Sequence, residues 1–126
     1  MIQEYRGINH DGVIYYGKHL ILTANKCNKN ILNKKQVANF MIELVDRIDM
    51  VAFGDTIVER FGKGIEIGLS AVQLIETSAI VIHTNDQARD MYLDVFSCKT
   101  FSEHDVINFL LSVFEPDKIN SQVLLR

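Results

Sequence analysis

The chain has 126 residues, 48% hydrophobic and 23% charged, which suits one core rather than a disordered tail. Its net charge of −3 argues against nucleic acid as a partner, because phosphate binding needs a basic surface. No apolar run reaches the ~18 residues that span a membrane, and the start MIQEYRGINHDG lacks an apolar signal segment, so a cytoplasmic location is expected. The two cysteines, Cys27 and Cys98, make neither a disulfide framework nor a clustered metal site, and no metal is expected.

Residues 1–12 are polar with two glycines and read as a loose arm. The run from Val13 to Ala24, VIYYGKHLILTA, is rich in β-branched and aromatic residues and predicts a strand. Asn25 to Asn33 is polar and turn-like. From Lys34 to Met50, Val37, Met41, Leu44, Val45 and Ile48 recur at spacings of three and four, which predicts an amphipathic helix. A strand is expected over Val51 to Phe61, then a connection punctuated by Gly62, Gly64 and Gly68. Leu69–Ile75 and Ala79–Thr84 follow as strands, separated from Met91–Cys98 by a polar turn over 85–90. In that last strand Tyr92, Asp94, Phe96 and Cys98 share a face. Ser102 is a candidate N-cap for a helix from Glu103 to Phe114, and residues 118–126 could add a strand. The order β-α-β-β-β-β-α-β implies an α+β fold, a largely antiparallel sheet with two helices packed on one face, in one domain over 1–126.

The segment from Gly68 to Cys98 reads GLSAVQLIETSAIVIHTNDQARDMYLDVFSC. It resembles the small prokaryotic S-adenosylmethionine decarboxylases, whose pattern runs roughly G-V-S-G, E-S-H, I-H-T-W-P-E and D-x-F-T-C-G. Ser70 falls on the first serine, Ser78 on the reactive serine, His83 on the histidine of I-H-T and Cys98 on the late cysteine, without gaps between them. Gly17, Lys18 and His19 look like the family's G-[RK]-H, and Cys27 like its early cysteine.

The resemblance implies a self-made pyruvoyl cofactor. The chain would cleave itself between Thr77 and Ser78, and residue 78 would become a pyruvoyl ketone that takes the substrate amine as a Schiff base. Serine needs a neighbour to take its proton, and the imidazole of His83 is the candidate base, with Ser70 assisting by hydrogen bonding. Cys98 would return a proton after CO2 leaves, since an ordinary thiol is protonated at neutral pH. The implied substrate is S-adenosylmethionine, converted to the aminopropyl donor of spermidine synthesis. The implied assembly is a homodimer with shared active sites.

The chain departs from the pattern in places. Thr77 stands where a glutamate precedes the reactive serine, with Glu76 one place earlier, and Ala79 replaces the histidine after it. Asn85, Asp86 and Gln87 replace W-P-E, so Gln87 occupies the position of the glutamate that holds the substrate ribose. Lys99 replaces a glycine. Gln87, Glu76 and Phe61 are the expected substrate contacts, the last because a sulfonium and an adenine favour aromatic faces, a role Tyr5 could share. A pyruvoyl-dependent ornithine or arginine decarboxylase, and an uncleaved dimeric pseudoenzyme binding an adenosyl ligand or a partner protein, remain as alternatives.

Strand spacing bears on who can meet whom. A hairpin turning at Glu76–Thr77 puts Ser70 opposite His83, and a strand folding back across 85–90 brings Cys98 opposite Ser78. Ser78 and His83 lie five residues apart on one strand, about 17 Å at ~3.3 Å per residue. The expectation is that Ser78 and Cys98 of one subunit face Ser70 and His83 of a two-fold partner.

Overall fold

The computed structural model describes residues 4–126. Its main sheet has six antiparallel strands: β3 (Lys18–Asn25), β4 (Ile57–Phe61), β5 (Gly68–Ile75), β6 (Ser78–Asn85), β7 (Asp90–Ser97) and β8 (Lys118–Leu125). They lie in the order β4-β5-β6-β7-β3-β8. Two helices, α1 (Lys34–Arg47) and α2 (Glu103–Phe114), pack on one face, as the α+β reading expects.

Alternation builds the core. Leu20 and Leu22 of β3, Leu69 and Ala71 of β5, Ile80 and Ile82 of β6, and Met91, Leu93 and Val95 of β7 are buried on the helix side. The helices answer with Val37, Phe40, Met41 and Leu44 of α1 and Val106, Phe109, Leu110 and Phe114 of α2. Phe40 stacks on Phe109 with centroids 4.8 Å apart and meets Phe114 edge-on at 5.0 Å, locking the helices together. Intervening side chains point to the other face, where Val81, His83, Tyr92 and Leu74 stay exposed.

The N-terminal reading needs correction. Residues 1–3 of the expected loose arm lie outside the described residues, but β1 (Ile8–His10) and β2 (Val13–Tyr15) form an antiparallel hairpin. Its tip, Asp11–Gly12, has φ of 50° and 82°, the positive pair that a tight two-residue hairpin requires. The expected strand from Val13 to Ala24 is therefore two strands. The break falls at Tyr16–Gly17, whose two N–H groups both donate to the Arg126 carbonyl, at 2.6 and 2.9 Å. A Cβ on Gly17 would lie 2.6 Å from the Phe96 ring, so glycine lets the ring pack against the bend and a side chain there would displace it.

Helix α1 stops at Arg47, short of Met50, because Asp49 adopts φ 58° and the Met50 N–H turns back to the Val45 carbonyl at 2.9 Å. That closure is a Schellman cap. Asn33 caps the other end, its side chain accepting from the N–H groups of Lys35 and Gln36. The strand expected from Val51 begins only at Ile57; before it, Ala52 makes an isolated bridge to Ile75. The turn-like 25–33 segment contains a short 3-10 helix, Lys29–Leu32. Helix α2 has the expected bounds, with Ser102 accepting from Asp105 N–H at 3.2 Å.

Candidate active site

The candidate residues gather at two ends of the β5–β6–β7 ladder. At one end, Ser70 of β5 sits opposite His83 of β6, and the Ser70 hydroxyl and His83 Nδ1 are 2.9 Å apart. Tyr92 of β7 is the next residue along that row, and its ring stacks near His83 at 6.5 Å between centroids. The hydrogen bond couples the two groups: if Nδ1–H donates to Ser70 Oγ, Nε2 is left as an acceptor and a base. Phe61 closes β4 opposite Gly68, at this same end, and is exposed. Gln87 lies in the β6–β7 turn, lining a surface cavity with Lys26, Arg89 and Lys118.

At the other end, the Glu76–Thr77 turn leads into Ser78, the first residue of β6. Ser78 has φ 157°, a value L residues rarely adopt. The Thr77 carbonyl accepts the Cys98 N–H at 3.0 Å. An N–H on this oxygen draws electron density from the carbonyl carbon next to the Ser78 hydroxyl and would stabilise negative charge there. The residue opposite Ser78 is Ser97, not Cys98 as the sequence reading had it; Cys98 lies just beyond the end of β7. Glu76 is exposed at the turn, with its N–H bonded to the Val51 carbonyl.

Aromatic rings run beside Cys98. Tyr5 packs on Tyr16 at 5.5 Å, Tyr16 on Phe96 at 6.1 Å, and Phe96 on His19 at 5.5 Å. The Cys98 thiol lies close enough to Tyr16 to push its phenol pKa up, chiefly through charge and then through a hydrogen bond. The Arg126 guanidinium covers Phe96 at 4.8 Å. Tyr5 thus stands with the Ser78 end, whereas Phe61 and Gln87 stand with the His83 end.

The cysteines differ in setting. Cys27 is buried, and burial, reinforced by Asp90, pushes its thiol from 9.0 up to about 11. Cys98 is half-buried and borders an open groove with Gly7, Ile8 and Asn9. Among the described residues no cluster of three or more His, Cys, Asp or Glu side chains could hold a metal ion, and no helix is long and apolar enough to cross a membrane.

Sequence reasoning missed Ser97 and the pairing of His19 with Asp94, whose Nε2 and Oδ1 are 3.2 Å apart across β3 and β7. The signal for Ser97 was the alternation of β7, which buries Ser97 in line with Val95, Leu93 and Met91 while Phe96 points to the other face.

Comparison with known proteins follows the same outline. The family model described as S-adenosylmethionine decarboxylase matches residues 18–126. An S-adenosylmethionine decarboxylase proenzyme of Methanococcus maripaludis is 31% identical over 112 residues, covering 87% of this chain and 88% of the relative. One from Clostridium botulinum is 25% identical over 113 residues, covering 89% and 95%. A crystal structure of the adenosylmethionine decarboxylase from Aquifex aeolicus superposes with a TM-score of 0.75 at 18% identity, over 89% of this chain and 91% of that one, and shares its fold.

Proposed function

The chain belongs to the S-adenosylmethionine decarboxylase family, and from that premise we propose that it is a proenzyme that cuts itself between Thr77 and Ser78 and then decarboxylates S-adenosylmethionine. The observation that carries the reading is the Thr77 carbonyl held on the Cys98 N–H directly ahead of Ser78. The residues fit the making of a pyruvoyl group: a half-buried serine at a strand start, an unusual φ, and a donor on the carbonyl it must attack.

The chemistry balances without an oxidant. Ser78 Oγ bonds to the Thr77 carbonyl carbon, the amide C–N bond breaks, and the serine nitrogen becomes a free amine. Loss of the Ser78 Cα proton then expels the Thr77 carboxylate as the ester C–O bond breaks. Water replaces the nitrogen of residue 78, releasing ammonia and leaving a ketone. His83, tied to Ser70, is the base for the proton transfers, and the Cys98 N–H holds the charge that builds on the Thr77 oxygen.

A pyruvoyl ketone would supply the electron sink that an α-amino acid needs to lose its carboxylate as CO2. Around it, Cys98 stands as the proton donor to the carbon left behind. The Tyr5, Tyr16 and Phe96 rings offer faces for a sulfonium and an adenine. Ser78 and His83 are too far apart on β6 to meet within one chain. The active assembly is a two-fold homodimer in which the open sheet faces oppose each other and each Ser78 receives Ser70, His83, Phe61 and Gln87 of its partner.

Intact mass of the purified protein tests the reading. Two fragments separated at Thr77–Ser78, the second beginning with a pyruvoyl mass, are expected, followed by CO2 release from S-adenosylmethionine and not from ornithine or arginine. A single chain that persists through long incubation would overturn the enzyme reading in favour of an uncleaved binding protein. Release from ornithine or arginine alone would overturn the substrate.

A further inference from the structure

The chain contains two tight two-residue hairpins, and they differ at their tips. Asp11 and Gly12 carry the positive φ values that match the twist of the flanking strands. In the β5–β6 hairpin, where Ile75 pairs with Ser78, neither Glu76 nor Thr77 has positive φ. The departure falls instead on Ser78, at 157°. A turn of this kind splays its strands unless something outside the hairpin holds the tip.

The holding groups are visible. Glu76 N–H donates to the Val51 carbonyl at 2.9 Å, and Phe53 N–H to the Leu74 carbonyl at 2.8 Å. The Thr77 hydroxyl points inward, 2.7 Å from the hydroxyl of Ser97, and both lie 3.5 Å from the Met50 sulfur. Ser97 is fully buried and also accepts the Lys99 N–H at 3.0 Å. The proton count closes: Lys99 N–H gives to Ser97 Oγ, Ser97 O–H to Thr77 Oγ1, and Thr77 O–H to Met50 sulfur, so no polar group is stranded. Met50 is delivered by the cap that ends α1, so the clamp is anchored in the core rather than in the hairpin.

We propose that Ser97 is a positioning residue for self-cleavage, its hydroxyl fixing the Thr77 side chain so that the Thr77 carbonyl stays on the Cys98 N–H while the unusual backbone remains at Ser78. The inference rests on the self-cleavage reading and deepens it. It also accounts for threonine at a position where the family pattern has glutamate: a short neutral hydroxyl fits between a buried serine and a thioether, where a longer carboxylate would carry the cost of burying its charge.

The test follows cleavage of freshly purified precursor by intact mass, with thermal melting as a check on folding. Ser97→Ala and Thr77→Ala are each expected to slow cleavage about tenfold, the rate equivalent of one lost hydrogen bond. The double variant is expected to be no slower than either single, because both remove one interaction. Ser97→Thr, which keeps the hydroxyl, is expected to restore the rate. Hydroxylamine, which splits esters, should release less product from the Ala variants than from wild type at equal times, placing the defect at ester formation. A folded Ser97→Ala chain that cleaves at the wild-type rate, or single effects that multiply in the double variant, overturns the role of Ser97 and leaves self-cleavage standing. A wild-type chain that never cleaves overturns the self-cleavage reading itself, and the positioning role with it.

Discussion

Pairing two disabled variants measures whether one reactive site draws on two chains. Ser78 and His83 sit at opposite ends of β6, about 17 Å apart, whereas proton transfer needs about 3 Å. A Ser78→Ala chain cannot cleave, and a His83→Ala chain loses a base worth about 10²–10⁴ in rate. In a two-fold dimer with shared sites, the heterodimer of these variants contains one complete pair: Ser78 from the His83→Ala chain and His83 from its partner. Random exchange at equal concentrations places about half of the His83→Ala chains in such heterodimers. About half of the His83→Ala chains should therefore be cut, and none of the Ser78→Ala chains. Tagging the two chains differently, capturing doubly tagged dimers and weighing them raises the expected fraction to nearly all His83→Ala chains. Doubly tagged heterodimers that stay whole while wild type cleaves would falsify the shared site.

Two further outcomes follow from the packing. A Cβ at Gly68 would lie 1.7 Å from the Thr84 carbonyl oxygen and 2.7 Å from its carbon, both backbone atoms; Gly68→Ala must push β6 away and loosen the Ser70–His83 pair. Overpacking plus lost ladder bonds should cost about 3 kcal/mol, a fall in melting temperature of roughly 10 °C, and an unchanged melt would show that the strands do not approach so closely. Burial of Cys27, with its thiol raised to about 11, keeps a proton on the folded chain after the unfolded chain has lost it. That contribution, roughly 2–3 kcal/mol, is complete below pH ~9 and is lost as pH rises toward ~11. Urea unfolding at pH 8 and 10.5 should show wild type losing more stability than Cys27→Ala across the interval, and equal losses would refute the assignment.

What the sequence disclosed follows the range of the forces involved. The strands at 69–75, 79–84 and 91–98 are set by alternation, which is local, and their bounds moved by a residue at most. Helix α2 was legible to the residue because Ser102 caps it and Glu115, with φ 44° ahead of Pro116, ends it. The β1–β2 hairpin had a local signal too, the Asp11–Gly12 pair, hidden because its strands are only three residues each and β2 runs on toward β3 as one apolar stretch. The break at Tyr16–Gly17 had only its glycine as a local signal, since its hydrogen bonds run to the carbonyl of Arg126. In the candidate site, the opposition of Ser70 and His83 was readable from hairpin register alone. The one-residue offset that puts Ser97 opposite Ser78 was not, because it depends on where β7 re-enters after the 86–89 turn.

On the proposed mechanism, that register also leaves one chain with only half of what the chemistry needs. The β5–β6 hairpin fixes Ser70 to His83 and Ile75 to Ser78 in the same ladder, and β7 fixes Ser97 to Ser78. Neither cross-strand neighbour of Ser78 is an acid or a base. Ser78 and His83 ride on the same strand, so no change of register brings one to the other, and a slip of one residue would turn Ile80 and Ile82 out of the core. A two-fold partner would supply the base without moving either strand. In the proposed two-fold homodimer the end of one β6 lies by the start of the other, and His83 comes to the partner's Ser78 with both cores intact. In that proposal the base lies on a second chain because the ladder that secures the core also fixes what can lie beside Ser78 in its own sheet.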